Sequence, residues 1–138
     1  MTFEADVNAW TRKTQARLEA VFKSSVQEVA RQAQVPQEKG GNLPVDTGFL
    51  RNSGQAALNR MPSGDSFQDA SDSAGKQVMD ATAVTIARAN LGDAIIFGWT
   101  AEYAPFMEAR YAFMRTAAAN WRSIVAREAD RIKARVAG

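Results

Sequence analysis

Two absences limit the side chains that could do chemistry in this chain. The 138 residues include no Cys and no His. Zinc and similar metals prefer thiolate and imidazole ligands, and the commonest nucleophile pairs use His as the base. Acid–base chemistry would therefore have to use carboxylates, Lys or Tyr. The composition predicts no metal site and no cofactor.

One local motif has a catalytic counterpart, the triplet Asp46-Thr47-Gly48. In aspartic proteases two Asp residues share one proton, and the Asp-Thr-Gly triplet sits in a β-rich fold. This chain has one such triplet, and its sequence pattern is helix-rich, which argues against a protease. We expect Asp46 instead to be the N-cap of a short helix that starts at Thr47.

The residues that follow the triplet are predicted to form a small structural unit. Gly48 gives the backbone conformational freedom, and Phe49 and Leu50 are expected to turn inward. Arg51 can pair with a carboxylate such as Glu108. None of these roles requires catalysis, so the segment is predicted to support the fold or an assembly contact.

Two long amphipathic helices are predicted to position these residues. Apolar residues recur every three or four positions over 3–34 and again over 112–137, which predicts one helix in each range. Trp10 and Trp121 lie on these apolar stripes and are expected to pack in the core. Pro36 is expected to end the first helix, because the residue before a proline avoids helical geometry.

The middle of the chain is predicted to supply a small antiparallel sheet. Residues 55–59 are expected to form a short strand, and 94–99 a short buried strand. Residues 76–91 fit either a strand or a helix. Their length and Ala content favour a helix, and Gly92 suits the left-handed position after it.

Two segments with chain breakers and few apolar residues are predicted to be mobile loops. They span 36–46 and 60–75, and we expect first proteolytic cuts at Lys39, Arg60 or Lys76. The fold class is therefore α+β, with long N- and C-terminal helices packed on a small antiparallel sheet. A single domain over 1–138 is expected, since single cores typically take about 100–200 residues.

Basic residues are concentrated toward the C-terminus. The whole chain has a formal charge of +2, but seven basic and two acidic residues from position 110 onward give a net charge of +5. A solvated helix face is the favoured interpretation, and contact with an acidic partner surface or with DNA is the other. The residues predicted for such a contact are Arg122, Arg127 and Arg131. The sequence contains no run of about 18 or more apolar residues, so it predicts no membrane span.

Two segments resemble one family of phage proteins. Residues 44–53, Pro-Val-Asp-Thr-Gly-Phe-Leu-Arg-Asn-Ser, resemble the Pro-x-Asp-Thr-Gly-x-Leu-Arg-x-Ser signature of the tail-completion (neck) family of tailed bacteriophages. In that family the signature follows a long N-terminal helix. A later strand is followed by Tyr-Ala and then Glu, and a C-terminal helix closes the chain. The residues that match the family are Asp46, Thr47, Gly48, Leu50, Arg51, Ser53, Tyr103, Ala104 and Glu108.

The resemblance implies a non-catalytic structural subunit of the virion. Such a subunit is assembled in the bacterial host cytoplasm and completes the head-proximal end of the tail for head–tail joining. Its partners would be other tail and neck proteins and copies of itself in a ring, with DNA only as passing cargo and no membrane. The alternative from the residues themselves is a nucleic-acid-binding module that uses the basic C-terminal helix.

Overall fold

The computed structural model describes residues 2–46, 48–63 and 76–137. Most of these residues are helical, and two short strands form one antiparallel sheet, so the α+β prediction is confirmed. Thr47 and the predicted loop residues 64–75 lie outside the described residues. The elements in chain order are α1 (Phe3–Ala33), α2 (Phe49–Asn52), β1 (Gly54–Leu58), α3 (Lys76–Ala87), β2 (Ile95–Trp99), α4 (Ala104–Tyr111), α5 (Phe113–Ala119) and α6 (Trp121–Ala137).

Helix α1 begins and ends close to where the sequence predicts. The Thr2 hydroxyl accepts a hydrogen bond from the Ala5 backbone N–H at 3.1 Å, which caps the first turn. The second half of α1 packs against α3, α5 and α6, while the first half extends beyond them. Trp10 is therefore 68% exposed and Trp121 is 39% exposed. The prediction that both indoles pack in the core is wrong.

Strands β1 and β2 pair in register from Gly54 opposite Trp99 to Leu58 opposite Ile95. The strand predicted over 94–99 is present as β2, but the prediction that it is buried is wrong, because β2 is half-buried along its whole length. Helix α3 packs on β1, whereas part of β2 borders an open groove.

The ambiguous segment 76–91 forms helix α3, as favoured. The helix ends at Ala87, five residues before Gly92. Gly92 does have a positive φ of 97°. It lies in the turn between α3 and β2 rather than directly after the helix, so the predicted capping role is wrong.

The single helix predicted over 112–137 is wrong, because α5 ends at Ala119 and α6 begins only at Trp121. Its predicted start is close to the observed one, since Ala112 adopts left-handed geometry with φ 54° between α4 and α5. The Glu108 carboxylate stabilises this turn at Ala112. It accepts the Met114 backbone N–H at 2.7 Å and the Arg115 backbone N–H at 3.2 Å, which caps the start of α5.

The segment 36–46 is anchored more firmly than its composition indicates. Leu43 is fully buried, and it pairs with Pro36 in a β-bridge. Gly41 fits tightly here, because a Cβ at this position would lie 2.0 Å from the Val35 carbonyl oxygen. The premise that this loop lacks an apolar anchor is therefore wrong.

Candidate assembly site at the two motif segments

The fold brings together the two segments that resemble the phage family. The rings of Phe49 and Tyr103 stack with centroids 6.1 Å apart and an interplanar angle of 28°. Beneath them, the buried side chains of Leu50, Ala104 and Phe113 belong to one apolar cluster. Segments more than 50 positions apart in sequence thus share one face of the molecule.

The start of α2 differs from the prediction. The helix begins at Phe49, and its N-cap is Gly48 with a left-handed φ of 85°. Residues with a Cβ rarely adopt this conformation, so Gly48 fits the position for a backbone reason. Asp46 is exposed and lies before the cap, so its predicted N-cap role is wrong. Thr47, the middle residue of the triplet, lies outside the described residues.

Ser53 closes α2 and connects it to the end of β2. Its buried hydroxyl donates a hydrogen bond to the Leu50 carbonyl at 2.7 Å. The Ser53 carbonyl in turn accepts the Thr100 backbone N–H at 3.0 Å. These contacts occupy Ser53 within the fold, which is a structural role.

Glu108 has a different partner from the one predicted. Its Oε2 atom lies 3.0 Å from Arg115 Nε, and its side chain is only 16% exposed. The break at Ala112 turns the first N–H groups of α5 toward this carboxylate, so Glu108 pairs with α5 and not with Arg51. The backbone carbonyl of Arg51 accepts a hydrogen bond from Gln34 Nε2 at 2.9 Å.

An open cleft of about 440 Å³ lies between α2 and α4. Its lining includes Asp46, Phe49, Tyr103 and Met107. Burial raises the pKa of the Tyr103 phenol, a backbone hydrogen bond from Leu50 opposes this, and the Asp46 charge adds to it. The phenol therefore stays protonated at neutral pH and can donate a hydrogen bond to a partner.

Over 2–46, 48–63 and 76–137, no three acidic side chains lie close enough to hold a metal ion. Among these same residues, none of the helices has the length and apolar character to cross a membrane. The cleft offers an exposed carboxylate, a phenol and aromatic surface, which can hydrogen-bond to a partner and pack against it.

The three arginines predicted as a partner contact do not form one free cationic face. Arg131 donates to Glu128 at 2.6 Å and to the Ser24 hydroxyl on α1 at 2.7 Å. The hydrogen bond from Arg131 holds the pKa of Glu128 below its ordinary range. Arg127 lies 3.8 Å from Glu28 on α1. The contacts of Arg131 with Ser24 and of Arg127 with Glu28 therefore help to hold α6 against α1.

Arg122 differs from the other two arginines. It is exposed near the start of α6, and no carboxylate among the described residues lies within ion-pair distance. Arg122 is thus the member of the predicted set that stays available to a partner.

Sequence reasoning missed Gln34, which is 2% exposed. Its Nε2 donates to the Arg51 carbonyl, and its Oε1 accepts the Trp99 indole N–H at 2.7 Å. One side chain therefore joins the end of α1 to α2 and β2. A polar residue directly after a helix gives no sequence signal of such a position.

Comparison of the chain with protein-family models, with curated proteins and with solved structures found no match. The resemblance to the tail-completion family therefore rests on the residues quoted above and stays a prediction.

Proposed function

We propose that this chain is a structural virion protein of a tailed phage or prophage that completes the head-proximal end of the tail for head–tail joining. One observation carries the proposal: the fold places the segments 48–53 and 103–108 side by side, although they are far apart in sequence. These are the segments that resemble the family. A shared face is what a common assembly contact would require.

The chemistry of this face supports a contact role. Leu50 and Ala104 are buried, Ser53 is hydrogen-bonded internally, and Glu108 caps α5. These residues build the face, whereas Asp46 and the Tyr103 phenol lie at the open cleft. In the assembled tail, the exposed pair contacts a neighbouring tail or neck protein, and DNA passes as cargo.

The alternative of a nucleic-acid-binding module has less support. Arg127 and Arg131 are engaged with carboxylates of the same chain, which reduces the charge available for phosphates. Retention of DNA in a gel that falls steeply with added salt would favour this alternative.

Deletion of the gene from its phage or prophage tests the proposal. We expect DNA-filled heads and tails of normal length that do not join, as seen by electron microscopy, and infectivity restored by the protein supplied in trans. Complementation by Asp46→Lys should be weaker than by Glu38→Lys, a matched reversal at an exposed carboxylate outside the motif. Joined and infectious deletion particles would overturn the proposal.

A further inference from the structure

The first half of α1 forms an arm whose apolar side chains are exposed in the monomer. The arm comprises residues 3–18 and extends about 24 Å at 1.5 Å per residue. Its apolar stripe faces solvent: Phe3 is 84% exposed, Val7 42%, Trp10 68% and Leu18 58%. Contiguous exposed apolar side chains of this kind mark an interaction surface.

An apolar groove lies at the other end of the same helix. Its walls come from α1, β2 and the α5–α6 segment, and it has a volume of about 520 Å³. The groove is open, since Met114 and Trp121 on its rim are 44% and 39% exposed. The residues that define it here are Phe22, Val26, Ile95, Phe97, Met114 and Trp121.

The arm cannot fill the groove of its own chain. Residues 3–33 form one continuous helix without Pro or Gly, so the arm points away from the body. The arm could therefore enter only the groove of a different molecule, and a helix that fits such a groove has apolar anchors at positions i, i+4 and i+7. The arm has this pattern at Phe3, Val7 and Trp10.

We propose that the arm of one copy docks in the apolar groove of a second copy. Charge at the tip of the arm supports this pairing. Residues 2–10, which hold the anchors Phe3, Val7 and Trp10, carry Glu4 and Asp6 and no cation, and the cations of the arm begin at Arg12. Arg122 follows the groove residue Trp121, is exposed, and has no ion pair among the described residues. Opposite charges at the edge of an apolar contact fix its register.

The contact joins two different surfaces of the chain. Two copies can exchange arms reciprocally, or successive copies can repeat the contact in one direction and close into a ring. The inference does not depend on the proposed function, because the arm and the groove are properties of the isolated chain.

Sedimentation of purified variants tests the contact. We expect the parent chain to self-associate and Trp10→Ala to weaken association by roughly 30-fold or more, as truncation of a central aromatic anchor does. Arg12→Ala on the opposite face of the arm is the matched control and should leave association unchanged. Both variants should melt like the parent, because both side chains are exposed.

Cysteine pairs give a second measurement, since the chain has no natural Cys. Mixing V7C with A118C, whose position lines the groove, should give a disulfide-linked heterodimer on mild oxidation. Mixing A16C with A118C should not, because Ala16 lies on the opposite face of the arm. A chain that is monomeric at its highest soluble concentration and gives no V7C–A118C heterodimer would overturn the proposal.

Discussion

The Gln34 amide oxygen accepts the Trp99 indole N–H at 2.7 Å, and this bond links the end of α1 to the end of β2. The same amide donates to the Arg51 carbonyl on α2. Trp99 also packs edge-on against Phe113, with ring centroids 4.7 Å apart. A buried amide therefore sets the position of the motif segments relative to the longest helix.

Gln34→Ala should destabilise the protein by about 1–3 kcal/mol, because the partly buried Trp99 N–H loses its acceptor. Chemical denaturation would measure this change. Gln37→Ala is the control, since Gln37 is exposed, and it should change the free energy of unfolding by no more than about 0.5 kcal/mol. Equal stabilities for the two variants would contradict the role given to Gln34.

Leu50→Ala should cost about 2–5 kcal/mol, because Leu50 is 3% exposed and lies in the cluster with Ala104 and Phe113. Asp46→Ala now serves as its control. The exposed carboxylate does not cap α2, so its loss should change stability by no more than about 0.5 kcal/mol. If Leu50→Ala melts like the parent chain, the motif does not support the core.

The regular elements were largely predictable from the sequence. Helix α1 and strands β1 and β2 lie within a residue or two of their predicted bounds, because their apolar periods are unbroken and Pro36 supplies a stop. Helix α4 was not predicted, and neither was the interruption at Asn120 between α5 and α6, which no Pro or Gly marks. The turn at Ala112 that separates α4 from α5 is stabilised by the contact of Glu108 with the Met114 N–H.

The sequence indicated which residues belong to the candidate site, but not how those residues contact one another. Resemblance alone selected Tyr103 and Glu108, and their contacts depend on how distant segments pack. The wrong prediction for Trp10 has a related cause. Periodicity shows which face of a helix is apolar, but it does not show whether the chain itself covers that face.

Glu108→Ala should destabilise the fold by on the order of 1 kcal/mol, because α5 loses its cap. Glu108→Gln should lose less, since an amide oxygen can still accept one of the two N–H groups. Glu102→Ala, an exposed neighbour, is the control and should be nearly neutral. Thermal melts of the three variants check this order, and a neutral Glu108→Ala would show that the break at Ala112 is stable without its cap.

The ion pairs of Glu28 should make stability depend on pH. A hydrogen bond from Arg31 lowers the pKa of Glu28 from its ordinary value of 4.5, more than burial raises it, with help from Gln32 and from the charges of Arg31 and Arg127. A carboxylate with a lowered folded-state pKa stabilises the fold above its ordinary pKa. That contribution is lost as the pH falls below 4.5 toward the folded-state pKa.

At pH 7 we therefore expect Glu28→Gln to be less stable than the parent by up to about 1 kcal/mol, because the arginine partners are largely exposed and screened. Acidification to well below pH 4.5 should remove this difference, since the parent carboxylate is then protonated. Urea denaturation at both pH values measures it, with Glu102→Gln as the control. A difference that stays constant as the pH falls would mean that Glu28 acts through packing and not through its charge.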